Sequence, residues 1–195
     1  MRKLVWITCA AALLALAGLA RAQELDIAVN GSALFSPRNT SASLAFLPPA
    51  EEGTLFGASV QYIGDNHFGY SAEGAFRYHE GLYNGFQHFR PILYDVNGVY
   101  SRHLHAKIEG DLMAGIGGQT LIFYNSFSNN CVSSVCPISV NSTHFLVHLG
   151  GGIRYNFWHS LFIRPEANYY RVIDNHEFNS GNVLRLGASI GFSIK

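Results

Sequence analysis

The sequence predicts an all-β fold, an eight-stranded antiparallel up-and-down transmembrane β-barrel. Three observations support this prediction. Apolar and polar residues alternate with a period of two in eight segments, as in strands whose two faces meet different surroundings. Long and short connections alternate between those segments. One face of the segments is aliphatic and aromatic and the other is small and polar, which is typical of a membrane barrel.

The composition agrees with an exterior that faces lipid. Of 195 residues, 48% are hydrophobic and only 13% are charged, about half the charged share of an ordinary soluble domain. The net charge is zero, which argues against electrostatic binding of nucleic acid.

The first 22 residues predict a secretory signal peptide. Arg2 and Lys3 precede an apolar run, and Ala20-Arg21-Ala22 offers small residues at a cleavage site. We therefore expect a signal at 1–22 and a barrel domain at 23–195. An uncleaved membrane anchor is the alternative.

The first half of the chain supplies four predicted strands. The first, about 25–35, and the second, 54–63, alternate clearly and are separated by a long link with three prolines. A tight Gly-Asp-Asn turn leads to the third, 67–78, in which aromatic residues alternate with small or charged ones. A medium link precedes the fourth, about 89–101, where Arg90-Pro91 indicates a bulge or a strand end.

The second half supplies the other four. A short turn at 102–105 precedes the fifth strand, 106–122, and the longest link follows it. The sixth, 143–156, and the seventh, 161–172, are joined by another short turn, and a modest link leads to the closing strand, 182–195. Because every second link lies at the same end of an up-and-down barrel, one end has tight turns and the other has loops, as in outer-membrane barrels with short periplasmic turns.

Alternation alone does not say which face is outside, because a lipocalin-like soluble barrel turns its apolar face inward. The polar face here is rich in glycine, alanine and serine, which suit the crowded interior of a narrow barrel. Aromatic residues on the apolar face form two groups, one near each end, as membrane interfaces favour. The sequence therefore predicts lipid outside and polar residues inside.

This orientation predicts a charged interior of six acids and five bases, in which buried charges persist by pairing. The residues are Asp26, Glu73, Arg77, Asp95, Lys107, Glu109, Asp111, Arg154, Arg164, Glu166 and Arg185. A proton or ion path, or a catalytic carboxylate, is the alternative interpretation. A barrel of eight strands is too narrow for an open aqueous pore.

The longest link carries two further predictions. Cys131 and Cys136 lie close together in an exported protein, so a local disulfide is favoured over a metal site. A candidate loop contact surface surrounds them, formed by Phe123, Tyr124, Asn125, Phe127, Asn129 and Asn130. Simple variation of a surface loop is the alternative interpretation.

At this point the chain resembles the small eight-stranded outer-membrane barrel proteins, the group of the OmpA transmembrane domain, OmpX and OmpW. The resemblance rests on the signal peptide, the paired strands, IRPEANYY at 163–170 and RLGASIGFSIK at 185–195. It implies the bacterial outer membrane, its lipid and lipopolysaccharide, and the barrel-assembly machinery as surroundings and partners. The family's terminal aromatic residue is replaced here by Lys195.

Some barrels of this architecture are lipid A-modifying enzymes. PagL-like proteins carry a His-x-Ser pair on a late strand, and the corresponding stretch here, 168–171, has neither residue. Ser142 and His144 occur in the reverse order. We therefore expect no enzyme, no cofactor and no metal site, although His103-x-His105 has the spacing of a metal-binding pair.

Three functions follow from these observations, in order of preference. The first is a structural or surface-binding barrel that acts through its outer loops, with an unknown extracellular partner. The second is a narrow conduit for small solutes or lipophilic compounds. The third is a lipid A-modifying enzyme.

Overall fold

A computed structural model describes residues 24–36, 52–83, 87–124, 139–175, 177–178 and 180–194. The strands in these residues are β1 Glu24–Phe35, β2 Gly53–Ile63, β3 Phe68–Arg77, β4 Gly81–Tyr83, β5 Gln87–His105, β6 Ile108–Tyr124, β7 Ser139–Trp158, β8 Leu161–Val172 and β9 Asn182–Ile194. No helix in the described residues is long and apolar enough to cross a membrane.

The long strands form one closed antiparallel barrel. Each strand pairs with its neighbour in sequence, and β1 pairs with β9 from Leu25↔Ile194 to Phe35↔Leu184. The β3–β5 ladder completes the ring. The predicted eight-stranded antiparallel barrel is confirmed.

The short strand β4 was not predicted from the sequence. It pairs with the start of β5, from Gly81↔Phe89 to Tyr83↔Gln87, and so continues the ladder that β3 begins. Three residues are too few to show a periodic pattern, which is why the sequence indicates a plain link there.

Two strand ends differ from the prediction. The predicted turn at 102–105 is wrong, because β5 continues to His105 and the turn lies at Ala106-Lys107. A register shift between His103 and His105 breaks the alternation that the prediction relied on. The β6–β7 ladder also runs farther than predicted, to Tyr124↔Ser139.

The alternating ends are as predicted. Short turns follow β2, β5 and β7, whereas the connections after β1, β6 and β8 are longer. We call these the turn end and the loop end. β1 begins at the turn end with Glu24, and β9 ends there with Ile194.

The outside of the barrel is apolar along its whole height. Large side chains that are about half exposed include Ile27, Val29, Val96, Ile116, Leu149, Ile153 and Ile190. Exposed aromatic residues lie near both ends, among them Phe68, Tyr155 and Phe192 at the turn end and Phe35, Phe76 and Tyr169 at the loop end. This surface matches an exterior that faces lipid.

The inside is layered from one end to the other. Charged residues fill the turn-end half, and an apolar layer crosses the barrel above them. This layer consists of Leu34, Leu55, Ala75, Leu93, Leu146, Tyr170, Val172 and Val183. A separate aromatic cluster lies above it, at the loop end.

Candidate functional site

Arg154 on β7 holds together the charged group nearest the turn end. Its Nη1 atom lies 2.9 Å from Glu24 Oε1 and 3.3 Å from Glu109 Oε2. Its Nη2 atom lies 2.5 Å from Asp26 Oδ2 and 3.3 Å from Asp111 Oδ2. One fully buried guanidinium therefore forms ion pairs with four carboxylates, two from β1 and two from β6.

Arg164 on β8 extends this group toward the barrel centre. Its Nη1 atom donates to Gln61 Oε1 at 2.7 Å and to Asp111 Oδ2 at 3.3 Å. The centre of the buried Phe162 ring lies 4.9 Å from the Arg154 guanidinium carbon and 6.0 Å from that of Arg164. We call Glu24, Asp26, Glu109, Asp111, Arg154 and Arg164 the turn-end cluster.

A second group lies at mid-height around Arg185 of β9. Its Nη2 atom contacts Glu73 Oε1 at 2.5 Å and Glu166 Oε1 at 3.4 Å. Asn30 also donates to Glu73, at 2.8 Å. The guanidinium lies 5.5 Å from the centre of the Tyr170 ring.

His148 on β7 joins this mid-height group to β5 and β8. Nδ1 lies 2.6 Å from Asn97 Oδ1, and Nε2 lies 3.1 Å from Asn168 Oδ1. The imidazole stacks on Tyr170 with 4.6 Å between ring centres. Asp95 lies 3.5 Å from Nδ1. Each ring nitrogen therefore lies within hydrogen-bond distance of an asparagine side chain, one from β5 and one from β8.

The structure corrects the predicted charge balance of the interior. Lys107 is exposed, because it lies in the β5–β6 turn rather than on a strand face. Arg77 is half-buried at the loop end, with its guanidinium 5.6 Å from the Phe89 ring. Glu24, by contrast, is buried and was not predicted.

Among the described residues, buried acids therefore outnumber buried bases. The acids are Glu24, Asp26, Glu73, Asp95, Glu109, Asp111 and Glu166, and the bases are Arg154, Arg164 and Arg185. The remaining predicted interior residues lie where the alternation placed them. Alternation places Asn97 and Asn168 on the polar faces of their strands, but the predicted charged set did not include these neutral partners or Gln61, all of which are buried.

The loop end is closed by the aromatic cluster, which we call the mouth cluster. It contains Phe89, Leu121, Phe123 and Phe178, with Tyr83 packed against it. Phe123 is only 8% exposed. Its inclusion in the predicted contact surface is therefore wrong, because the longer β6 turns this side chain into the barrel mouth.

A polar contact ties the β8–β9 connection to β7 beside the mouth cluster. Glu177 Oε2 lies 2.8 Å from His144 Nε2, and the Ser142 hydroxyl donates to Glu177 Oε1 at 2.5 Å. Ser142 Oγ also lies 3.0 Å from His144 Nε2. Both partners meet the same ring nitrogen, whereas a catalytic triad needs the acid on the other nitrogen. These contacts hold the β8–β9 connection against β7.

The signal at 1–22, Cys131, Cys136, Asn125, Phe127, Asn129 and Asn130 lie outside the described residues. Tyr124 is described and is half-buried at the end of β6. Within the described ranges, no three or more His, Cys, Asp or Glu residues are arranged to hold a metal ion.

Comparisons with known proteins establish the fold. No protein-family model and no curated protein sequence matches the chain. Among solved structures, the chain is similar to Neisserial surface protein A (TM-score 0.61, 11% identity, 87% of this chain and 95% of that one). It is also similar to the attachment invasion locus protein Ail of Yersinia pestis, solved with the heparin analogue sucrose octasulfate (0.57, 13%, 88% and 97%). A third similar structure is the N-terminal β-barrel domain of OprF from Pseudomonas aeruginosa (0.57, 14%, 89% and 98%).

Proposed function

We propose that this chain, which has the fold of the small outer-membrane β-barrels, is a non-enzymatic outer-membrane protein that binds a partner outside the cell. The observation that carries the proposal is the unequal height of the barrel wall. β5, β6 and β7 contain 19, 17 and 20 residues, whereas β8 contains 12. Their ladders reach Phe89↔Phe123 and Tyr124↔Ser139, so these three strands, with the short β4 beside β5, rise past β8 at the loop end.

The raised part of β7 presents both side chains and backbone. Ser139, Val140 and Asn141 are exposed. The β7–β8 ladder begins at Leu146↔Val172, the Ile173 amide donates to the Phe145 carbonyl just before it, and Glu177 contacts Ser142 and His144, so the part of the β7 edge without these contacts is 139–141. An extended segment of a partner can add to such an edge through main-chain hydrogen bonds. This edge and its exposed side chains form the described part of the binding surface.

The surroundings follow from the exterior. The apolar belt and the two aromatic zones suit a bilayer, with outer-membrane phospholipid and lipopolysaccharide as neighbours. Insertion by the barrel-assembly machinery and removal of residues 1–22 belong to the same proposal.

A conduit is the less favoured function because of how the interior is filled. Arg154, Arg185, Tyr170 and Phe162 are among the largest fully buried side chains, and the apolar layer separates the charged half from the mouth. A lipid A-modifying enzyme is also less favoured, since Ser142, His144 and Glu177 do not have the arrangement of a triad.

Attachment of bacteria tests the proposal. A laboratory Gram-negative strain that produces the protein is applied to an immobilised extracellular-matrix extract and to cultured epithelial cells. We expect several-fold more attachment than with the empty vector, and a loss of that gain in Val140→Lys. Thr54→Lys is the matched control, because Thr54 is exposed at the loop end but lies on β2, away from the raised strands.

Boiling-dependent mobility on a denaturing gel, measured on the same cells, shows whether each variant forms a barrel in the membrane. Attachment equal to that of the vector on both surfaces, with a folded barrel, would contradict the binding function while leaving the location intact.

A further inference from the structure

The outside of the barrel has a groove near the turn end, across β5 to β9. Its volume is about 690 Å³, within the range of sites for small molecules. The floor is formed by Gly110, Gly151, Pro165 and Ala167, and large apolar side chains such as Leu112 form its sides. The groove exists because small residues of two neighbouring strands lie side by side, as the pair Gly151↔Ala167 shows, with Gly110 of β6 close by in the lining.

An arginine borders this apolar groove at its turn-end edge. Arg102 of β5 pairs with Gly110 of β6, and its side chain is exposed beside Leu104. Among the described residues, no carboxylate lies within ion-pair distance of Arg102. The side chains of Asp111 and Glu166, whose backbone borders the groove, face inward and pair with the buried arginines. Within the part of the chain that the structure describes, Arg102 is therefore a cation without a counter-ion at the groove.

The adjoining β5–β6 turn adds to the positive charge. Lys107 is exposed in this turn. The nearest acid on the following strand, Glu109, is buried and turned toward Arg154 and His103. The groove thus combines an apolar floor inside the membrane belt with a basic edge at the level of the turns.

Two other grooves on the barrel exterior lack this combination. One lies between Val29, Phe56 and Ala188, and the other between Phe68, Tyr100 and Leu149; neither is lined by a charged residue. Small residues line all three grooves, so they do not distinguish the turn-end groove from the others. Arg102, which has no counter-ion among the described residues, does distinguish it.

We propose that this groove binds an anionic glycerophospholipid from the leaflet at the turn end. One acyl chain lies over Gly151 and Ala167, and the phosphate lies against Arg102 with Lys107 nearby. The apolar floor matches an acyl chain, and the arginine matches a phosphate through charge-assisted hydrogen bonds. This inference rests on the membrane location proposed above.

Native mass spectrometry of the refolded protein tests it. The protein is released from detergent micelles that contain equal amounts of phosphatidylglycerol and phosphatidylcholine, and retained lipids are counted. We expect preferential retention of one phosphatidylglycerol per barrel. Arg102→Gln should lower that retention about fivefold, since one basic residue near a membrane surface contributes about that factor. Ala167→Phe should abolish it by filling the groove.

Two variants serve as matched controls. Arg171→Gln removes an exposed arginine of β8 near the loop end, and Ala188→Phe fills one of the uncharged grooves. Both should retain phosphatidylglycerol as the unaltered protein does. Equal retention of the two lipids, an unchanged value in Arg102→Gln, or a second copy of the protein in place of lipid would overturn the proposal.

The boiling-dependent gel shift separates this failure from failure of the proposed location. A variant that keeps the shift but retains no lipid contradicts only the lipid site. Absence of the shift in the unaltered protein contradicts the membrane barrel on which the site depends.

Discussion

Arg154 is the residue on which the turn-end cluster most depends. It is fully buried and contacts carboxylates from two strands that are far apart in sequence. Buried ion pairs gain little over a well-packed apolar core, but removal of one partner leaves the others without compensation.

Arg154→Met should therefore destabilise the barrel by about 3–5 kcal/mol, the cost of an uncompensated buried charge. Unfolding by urea from lipid vesicles measures this change. Arg171→Gln removes an exposed arginine and should stay within about 0.5 kcal/mol of the unaltered protein. A similar small effect of Arg154→Met would show that the four carboxylates are compensated in another way.

Tyr83 supplies a pH-dependent contact outside the membrane belt. Its hydroxyl donates to the Glu177 carbonyl at 2.8 Å. Partial burial, together with the nearby Glu177 carboxylate, raises the pKa of Tyr83 above its ordinary value of 10.0. Because the folded-state pKa is the higher one, the contribution of this contact to stability is present below pH 10 and is lost as the pH rises through the folded-state pKa.

We expect the tyrosinate absorbance of Tyr83 to appear at a higher pH in the folded barrel than in the unfolded chain. Spectra of the unaltered protein minus Tyr83→Phe isolate this one residue. Identical titration curves in the folded and unfolded states would contradict the contact.

Sequence alone placed individual interior residues well wherever alternation was unbroken. Asp26, Arg154 and Arg185 lie inside because each falls on the small, polar face of a regular strand. Lys107 was misplaced because the turn and the register shift beside it interrupt that alternation. Glu24 was missed because it is the first residue of β1, where the pattern has no preceding residue to confirm it.

At the scale of elements, the positions of the strands were predictable and their ends were not. Alternation in the sequence identifies a strand. Where the strand ends depends instead on how far a neighbouring strand is available to pair with it. β6 and β7 extend because they pair with each other beyond the rest of the barrel, a long-range property that local pattern does not report. Partners such as His148 and Asn97, from β7 and β5, likewise meet only through the closed ring.

Strand pairing depends on glycines that face inward. A Cβ atom added at Gly117 would lie 2.0 Å from the Tyr94 carbonyl oxygen, whereas one added at Gly74 would have no atom within 4 Å. Gly117→Val should therefore push β5 and β6 apart and cost about 3 kcal/mol or more, at the upper end of overpacking effects.

Gly74→Val is the matched variant on the outer face and should fold normally. The folded fraction after refolding into vesicles, read from the gel shift, compares the two. Equal folded fractions would show that β5 can move away from Gly117 without loss of pairing.

For the whole molecule, the layered interior predicts a closed barrel. The apolar layer and the mouth cluster both lie across the path between the two ends. We expect no steady single-channel steps in a planar bilayer, because eight strands leave an interior that side chains fill. Reproducible steps that disappear after boiling would favour the conduit over the surface-binding function.

The closed ring of strands also implies an order of events in folding, because the last strand to be made must close it. β1 is paired on one side by its neighbour β2, but its other side is covered only by β9, from Leu25↔Ile194 to Phe35↔Leu184. Until β9 arrives, the partly formed sheet has two open edges that can pair with other chains. Contacts between segments so distant in sequence form slowly. The lifetime of that open sheet, more than the stability of the finished barrel, sets how long the chain is exposed to aggregation.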